Sequence, residues 1–325
     1  MKPTTALAAL LVVACGGSDA ATGIDPVTQT PFGVDSCAVA RPAFSAAAQS
    51  ELALFAYDVT APLNLQKTLE TASGGVEVSG ISYDSPAGGR VTGILVKPVN
   101  RSSLRPGIIL MHGMPGSSRD AWVTNYANTL AHYGAVVIAI DAPFARRTGA
   151  NVRMTKQDRE EEIQLMKDLQ RAVDILRAQP NVDKDRIAYL GVSYGGAMGV
   201  QFAAIEHRIK AAALVVADAG LVTHLTQSSN LPFMASLSCA TRVAWLREMV
   251  PIEPMRFLGF AKPTPLLLQN GKLDELVSPA DAQSLQTSAP EPKTILWYDA
   301  GHNLTQQATL DRHDWLVQQI GLDPR

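Results

Sequence analysis

The chain has 325 residues, of which 46% are hydrophobic and 18% are charged, so it is long and apolar enough to bury a full core. Its formal net charge of −2 provides no basic field that would attract nucleic acid. Because the sequence contains none of the glycine-rich nucleotide motifs, no C-x-x-C and no H-E-x-x-H, it does not indicate nucleotide binding or zinc binding.

The N-terminal residues 1–20 have the pattern of a secretory signal peptide. Lys2 precedes an apolar run over Ala6–Ala14, which is too short to span a bilayer, and small residues follow. The residues up to Cys15 resemble a bacterial lipobox, in which the lipidated cysteine becomes the mature N-terminus and anchors the protein in a membrane. The alternative is cleavage after Ala20. The sequence thus predicts export, either as a lipoprotein of the bacterial cell envelope or as a periplasmic or secreted protein.

Residues 21–75 are predicted to form an N-terminal arm or linker, because the first part is rich in Gly, Pro, Ser and Thr without sustained periodicity. Residues 46–55 are compatible with a short helix. In an oxidising compartment Cys37 and Cys239 would be able to pair, and the alternative is two unrelated thiols. The sequence does not decide between them.

Residues 76–325 are predicted to form one catalytic domain. Val76–Tyr83 and Arg90–Pro98 flank a Gly-containing turn and predict a hairpin. From residue 105 onward strands alternate with helices, which predicts a mostly parallel, doubly wound sheet of about eight strands with helices on both faces. The strands are expected near 107–111, 135–141, 186–191, 210–218, 265–271 and 294–300, and helices near 118–133, after 155 and at 195–207. Residues 219–262 interrupt this alternation and predict a small cap insertion.

The stretch Gly191–Gly195 fits the pattern G-x-S-x-G and lies between a predicted strand and a predicted helix. In that setting the central Ser193 is expected to stand on a tight turn, where a nucleophile is exposed. A serine hydroxyl is a weak nucleophile at neutral pH and needs a base and an acid that orients the base. The sequence therefore has to supply both partners elsewhere.

Asp274 and His302 are the predicted partners, because each follows a late strand at the sheet edge where open α/β sheets place their sites. His302 would take the proton from Ser193, and Asp274 would accept a hydrogen bond from the other ring nitrogen. The rival candidates for the acid are Asp218, at the end of the preceding strand, and then Asp281 and Asp299.

An oxyanion hole requires two backbone N–H donors. The N–H of Tyr194, directly after the serine, is one candidate, and the N–H of Met114 is the other, because the following Pro115 has none. His112, in the same loop, is expected to brace the loop rather than to transfer protons.

The motifs HGMPGS (112–117), GVSYGG (191–196), NGKLDELV (270–277) and AGH (300–302) resemble those of the α/β-hydrolase superfamily, in the order Ser, Asp, His. They are most similar to its branch of dienelactone hydrolases, acetyl xylan esterases and prolyl-oligopeptidase-like enzymes. Dienelactone hydrolases use a cysteine nucleophile where this chain has Ser193, so their substrate is not implied. The chain before residue 76 is too short for the propeller domain of the oligopeptidases.

The resemblance implies a serine esterase that cleaves small-molecule carboxylic esters through an acyl-enzyme, without metal or organic cofactor and without nucleic acid as a partner. One alternative is a peptidase or amidase of the prolyl-oligopeptidase-like type. Another is a non-catalytic binding protein on a hydrolase scaffold. The sequence does not indicate an oligomeric state.

Three residues are candidates for substrate binding. Arg146 and Arg147 follow a central strand and have the geometry to hold a carboxylate, and the alternative is an ion pair with the acidic run 160–162. Trp245, with other apolar residues of the predicted cap, would line an acyl pocket or belong to the core beneath the cap.

Overall fold

The computed structural model describes residues 41–99 and 103–325, and these form a nine-stranded sheet with the strand order β1-β2-β3-β5-β4-β6-β7-β8-β9. The predicted signal segment, Cys15 and Cys37 lie outside the described residues. No helix in the described ranges is long and apolar enough to cross a bilayer.

The sheet begins with three antiparallel strands, β1 (Gln66–Ser73), β2 (Val76–Asp84) and β3 (Arg90–Pro98). β2 and β3 form the predicted hairpin. β1 lies inside the predicted arm, so the assignment of all of residues 21–75 to an arm is wrong at its C-terminal end. Every residue of β1 is exposed, and its sequence QKTLETAS lacks the alternation that marks a half-buried strand. This is why the sequence indicated about eight strands instead of nine.

Six strands form the parallel part of the sheet, which confirms the predicted α/β class. They are β4 (Arg105–Met111), β5 (Val136–Ile140), β6 (Val182–Val192), β7 (Ala211–Val215), β8 (Leu266–Gly271) and β9 (Lys293–Tyr298). β5 and β7 are buried at every position, as expected for strands with helices on both faces. The carboxyl ends of these strands meet at one edge, where the candidate site lies.

Helices cover both faces of the sheet. α1 (Ala121–His132) and α9 (Gln306–Ile320) contribute to the hydrophobic cluster on one face. α2 (Lys156–Ala178) and α3 (Tyr194–Ile205) contribute to the cluster on the other. α2 begins at the predicted capping box, in which the Thr155 hydroxyl accepts from the backbone and Asp158 reaches back to the N–H of Thr155.

Four helices replace the usual single crossover between β7 and β8, in the segment where the sequence predicts a cap. They are α4 (Leu221–Leu225), α5 (Leu231–Ser236), α6 (Cys239–Met249) and α7 (Pro254–Phe257), and α8 (Pro279–Ser288) follows β8. The segment packs on α2 and α3. Cys239 at the start of α6 is disulfide-bonded.

Candidate active site

Ser193 occupies a strained turn between β6 and α3. Its backbone has φ 57° and ψ −120°, a conformation that non-glycine residues rarely adopt outside functional sites. A Cβ at Gly191 would lie 2.1 Å from the carbonyl oxygen of Gly195, and a Cβ at Gly195 would lie 2.5 Å from that of Met111. The tight turn therefore requires glycine at positions 191 and 195. This requirement is the reason the G-x-S-x-G pattern predicted the turn.

His302 and Asp274 lie together on the loops after β9 and β8. The Nδ1 of His302 is 2.9 Å from Oδ2 and 3.1 Å from Oδ1 of Asp274. The backbone N–H groups of Leu276 and Val277 both donate to Oδ1, each at 2.9 Å. Burial opposes ionisation of Asp274, but the hydrogen bonds from His302 and these N–H groups hold its pKa below the usual value. The carboxylate thus accepts a hydrogen bond from Nδ1–H of His302, and the other ring nitrogen is left for a reacting group.

The backbone near Ser193 carries both candidate oxyanion donors. Tyr194 is the first residue of α3, so its N–H has no acceptor within the helix. The loop after β4 approaches from the other side, since a Cβ at Gly113 would lie 3.2 Å from the Cβ of Ser193. Met114 is next in that loop and lines the same cavity as Ser193. The structure therefore brings Met114 and Tyr194 to the serine.

His112 is fully buried and both of its ring nitrogens contact backbone groups. The N–H of Ala142 donates to Nε2 at 3.1 Å, so Nδ1 carries the ring proton and donates to the carbonyl of Gly113 at 2.7 Å. Burial lowers the pKa of His112, which keeps the ring neutral. The ring holds the loop in place and has no free nitrogen for proton transfer.

Two cavities meet at Ser193. The larger one, about 490 Å³, is lined by Ser193 and His302 and extends between Trp122, Tyr126 and Arg312. The smaller one, about 70 Å³, lies on the side of the cap helices and is lined by Ser193 and mainly apolar side chains. The serine is the boundary between a wide and a narrow compartment.

A second His–Asp pair lines the smaller cavity. The Nδ1 of His224, in α4, is 2.8 Å from Oδ2 of Asp218, in the loop between β7 and α4. Burial opposes protonation of His224, but the hydrogen bond and the charge of Asp218 together raise its pKa. The sequence patterns indicated neither this pair nor the short helix α4, which turns His224 toward Asp218.

The predicted substrate-binding residues lie away from both cavities. Arg146 forms an ion pair with Asp168 at 2.6 Å, and Arg147 pairs with Glu161 at 2.6 Å. Arg147 thus forms the ion pair with the acidic run 160–162 that was the alternative to substrate binding. Arg146 also forms an ion pair, but with Asp168, which lies outside that run.

Trp245 is fully buried and its Nε1 donates to Asp158 at 2.8 Å, so it belongs to the core beneath the cap. The rival acids are also engaged elsewhere: Asp281 pairs with Arg41, and Asp299 pairs with Lys272 at 2.7 Å. These contacts join residues far apart in the chain, which sequence spacing does not reveal.

Several residues of the larger cavity had no signal in the sequence. Trp122 and Tyr126 come from α1, and Thr309 and Arg312 come from α9. Trp122 stands at the mouth with 40% of its surface exposed. In the ranges 41–99 and 103–325 no group of three or more His, Cys, Asp or Glu side chains is placed to hold a metal ion.

Comparison with known proteins identifies the family. The model of the acetyl xylan esterase family matches residues 44–224, more than half of the chain. The chain belongs to the acetyl xylan esterase family. As a member it is a carboxylic-ester hydrolase, which confirms the activity expected from the motifs. The matched range contains Ser193 and ends before Asp274 and His302.

Solved acetyl xylan esterases share the fold of this family member. The enzyme from Paenibacillus sp. R4 superposes with a TM-score of 0.69 at 20% identity, over 86% of this chain and 97% of that one. Acetyl xylan esterase 1 from Thermoanaerobacterium sp. JW/SL YS485 gives 0.68 at 15% identity, over 83% and 92%.

An uncharacterized protein of Pseudomonas aeruginosa is 28% identical over 137 residues, which is 42% of this chain and 36% of the relative. The alignment thus spans about a third of that relative's length.

Proposed function

We propose that this acetyl xylan esterase family member hydrolyses short-chain carboxylic esters with Ser193 as nucleophile, His302 as general base and Asp274 as the acid that orients it. The observation that carries the proposal is the strained Ser193 turn in one cavity with a histidine whose Nδ1 is held by an ionised carboxylate. This is the arrangement that activates a serine hydroxyl.

The first half of the reaction acylates the serine. Ser193 Oγ attacks the ester carbonyl carbon while Nε2 of His302 takes the hydroxyl proton, and the Asp274 carboxylate stabilises the imidazolium. The negative charge on the carbonyl oxygen is bound by the N–H groups of Tyr194 and Met114. When the C–O bond breaks, His302 returns its proton to the leaving alcohol oxygen.

The second half releases the acid. His302 removes a proton from water, the hydroxide oxygen bonds to the acyl carbon, and the Ser193–acyl bond breaks as Ser193 regains a proton. The smaller cavity, about 70 Å³, is much narrower than the cavity of about 490 Å³ on the other side of Ser193, and it would take the acyl part of the ester. This favours a short acyl group such as acetyl.

Substitution of the two histidines tests which pair acts as the base. We expect Ser193→Ala and His302→Ala to lower kcat/KM for p-nitrophenyl acetate by roughly 10⁴-fold or more, since each removes a member of the proposed catalytic triad. His224→Ala keeps the proposed base, so its loss is expected to stay below about 100-fold. Thermal melts establish that each variant is folded.

The same variants also test the opposite assignment, in which His224 is the base. If His224→Ala lost as much as Ser193→Ala while His302→Ala kept its turnover, the base would be His224 with Asp218. Labelling by a fluorophosphonate probe adds an independent readout, because the parent protein should react at Ser193 and Ser193→Ala should not. Turnover retained by folded Ser193→Ala would overturn the assignment of the nucleophile.

A further inference from the structure

Arg312 places a buried positive charge in the wall of the larger cavity. It lies on α9, its residue surface is 7% exposed, and it lines the same cavity as Ser193 and His302. A buried cation normally has a carboxylate partner, because removal of its hydration is costly. The hydrogen-bond partners of Arg312 therefore show whether its charge is paired within the protein.

Within the described ranges, the guanidinium of Arg312 donates only to neutral acceptors. Nε donates to the hydroxyl of Tyr126 at 2.8 Å, and one terminal nitrogen donates to Oε1 of Gln269 at 3.0 Å. The other terminal nitrogen makes a long contact of 3.3 Å with Oγ1 of Thr309. A guanidinium has five N–H groups, so two have no acceptor among residues 41–99 and 103–325.

The neighbouring acid, Asp311, forms no ion pair with Arg312 among the described residues. Asp311 accepts from the hydroxyl of Tyr298 at 2.9 Å and from the amide of Gln307 at 2.8 Å. Arg146 and Arg147, in contrast, each have a carboxylate within 2.6 Å. Arg312 forms no ion pair within the described part of the chain.

The rest of the cavity wall preserves the positive potential. Among the described residues that line the cavity, none is an Asp or a Glu. Trp122, Leu304 and Tyr126 supply apolar surface, which keeps the local dielectric low. The guanidinium lies 5.1 Å from the centre of the Tyr126 ring, which fixes its plane. A rigid guanidinium with unused N–H groups matches the geometry of a carboxylate.

The position of His302 indicates which part of an ester faces Arg312. A general acid has to stand next to the leaving oxygen, and His302 lines the larger cavity but not the smaller one. The alcohol part of the ester therefore occupies the larger cavity with Arg312, and the short acyl part occupies the smaller one.

We propose that Arg312 forms an anion-binding subsite for a carboxylate on the alcohol part of the substrate. The preferred substrates are then short-acyl esters of hydroxy acids, and the released alcohol keeps its carboxylate. This inference rests on the proposed function, because it uses His302 to define the alcohol side.

Matched pairs of esters test the subsite. The substrates are 3- and 4-acetoxybenzoate, each paired with its methyl ester, in which the carboxylate charge is removed, and variant and parent are compared on each substrate. We expect Arg312→Gln to lower kcat/KM for the better acetoxybenzoate by about 10- to 100-fold and to change the value for its methyl ester by less than about threefold. Arg312→Lys should recover part of the loss, because it keeps the charge. Arg325→Gln, which removes an exposed arginine paired with Asp314, is the control.

Two outcomes would overturn the subsite. Equal losses on the charged and neutral esters would indicate that Arg312 only supports the packing of α9. A selective loss on p-nitrophenyl hemisuccinate, compared with p-nitrophenyl butyrate, and none on the acetoxybenzoates would place the carboxylate on the acyl side.

If Arg312→Gln does not fold, calorimetry on the parent protein decides. It should bind the 3- or 4-hydroxybenzoate product at least about 10-fold more tightly than the methyl ester of that product, and equal affinity would contradict the subsite. Failure of the proposed function has a different signature, namely turnover of the neutral ester by Ser193→Ala.

Discussion

At the scale of single residues, the site depends on how closely the backbone folds around Ser193. The strained φ of 57° persists because β6 and α3 hold both sides of the turn, and Ser193 N–H donates to the carbonyl of Val215 at 2.8 Å. Gly191 makes this possible, since any Cβ there would meet backbone atoms that have no room to move. The turn is therefore sensitive to a single methyl group.

Gly191→Ala is expected to destabilise the protein by about 3 kcal/mol, the upper end of the cost of overpacking, because the new Cβ would lie 2.1 Å from a backbone oxygen. Gly259→Ala is the matched control. Gly259 is exposed and a Cβ there would meet nothing within 4 Å, so the expected change is below about 1 kcal/mol. Urea denaturation measures both. Equal midpoints for Gly191→Ala and the parent would refute the steric argument.

At the scale of elements, the short helix α4 is held in place by one buried carboxylate from the start of α7. Glu253 accepts the N–H of Val222 at 3.1 Å and the N–H of Thr223 at 2.8 Å, and it also accepts the hydroxyl of Thr223 at 2.7 Å. α4 in turn contributes Leu221 and His224 to the smaller cavity. The cap segment thus shapes the proposed acyl compartment through Glu253.

Glu253→Gln should cost about 1–3 kcal/mol, because an amide group has only one acceptor oxygen and its NH₂ would face a backbone donor. Burial raises the pKa of Glu253 to about 7, so the comparison belongs at pH 8, where the carboxylate is ionised. Glu160→Gln, which breaks an exposed pair with Lys156, should cost below about 0.5 kcal/mol. Chemical denaturation provides the values, and similar costs for both variants would contradict this role of Glu253.

At the scale of the whole molecule, buried carboxyl groups between the helices make stability depend on pH. Glu162 in α2 accepts a hydrogen bond from the Tyr194 hydroxyl at 2.9 Å. Burial raises its pKa from the ordinary 4.5 to about 8, and the charges of Glu253 and Asp158 act in the same direction. Between these two pH values the folded protein keeps a proton that the unfolded chain has lost. Ionisation therefore favours unfolding across this window.

The free energy of unfolding contributed by Glu162 should be fully present below about pH 4.5 and fall as the pH rises to about 8. Glu162→Gln imitates the protonated form at all pH values. We expect its stability relative to the parent to increase with pH by up to about 1.4 kcal/mol per unit. Denaturation at pH 5, 6, 7 and 8 measures this difference. A constant difference across the series would show that Glu162 is ionised in the folded protein throughout.

The sequence predicted those features that depend on near neighbours in the chain. Apolar runs such as β5 and β7 indicated strands buried on both faces, and Thr155 and Asp158 indicated the start of α2. β1 was missed because its side chains are all exposed, so no hydrophobic pattern marks it. An edge strand of this kind is defined by its backbone pairing with β2, and backbone hydrogen bonds do not constrain side-chain type.

By itself the sequence determined the serine turn and the alternation of strands and helices from β4 to α3, because glycine requirements and hydrophobic periodicity are local properties. Only the tertiary structure decided what surrounds the serine. Arg312 meets Tyr126 across 186 residues of sequence, and His224 reaches Asp218 from the short helix α4, whose N–H groups bind Glu253. Such contacts depend on where the helices pack on the sheet, and packing distributes its energy over many interchangeable apolar residues. No short motif therefore records the walls of the cavity in which the proposed reaction takes place.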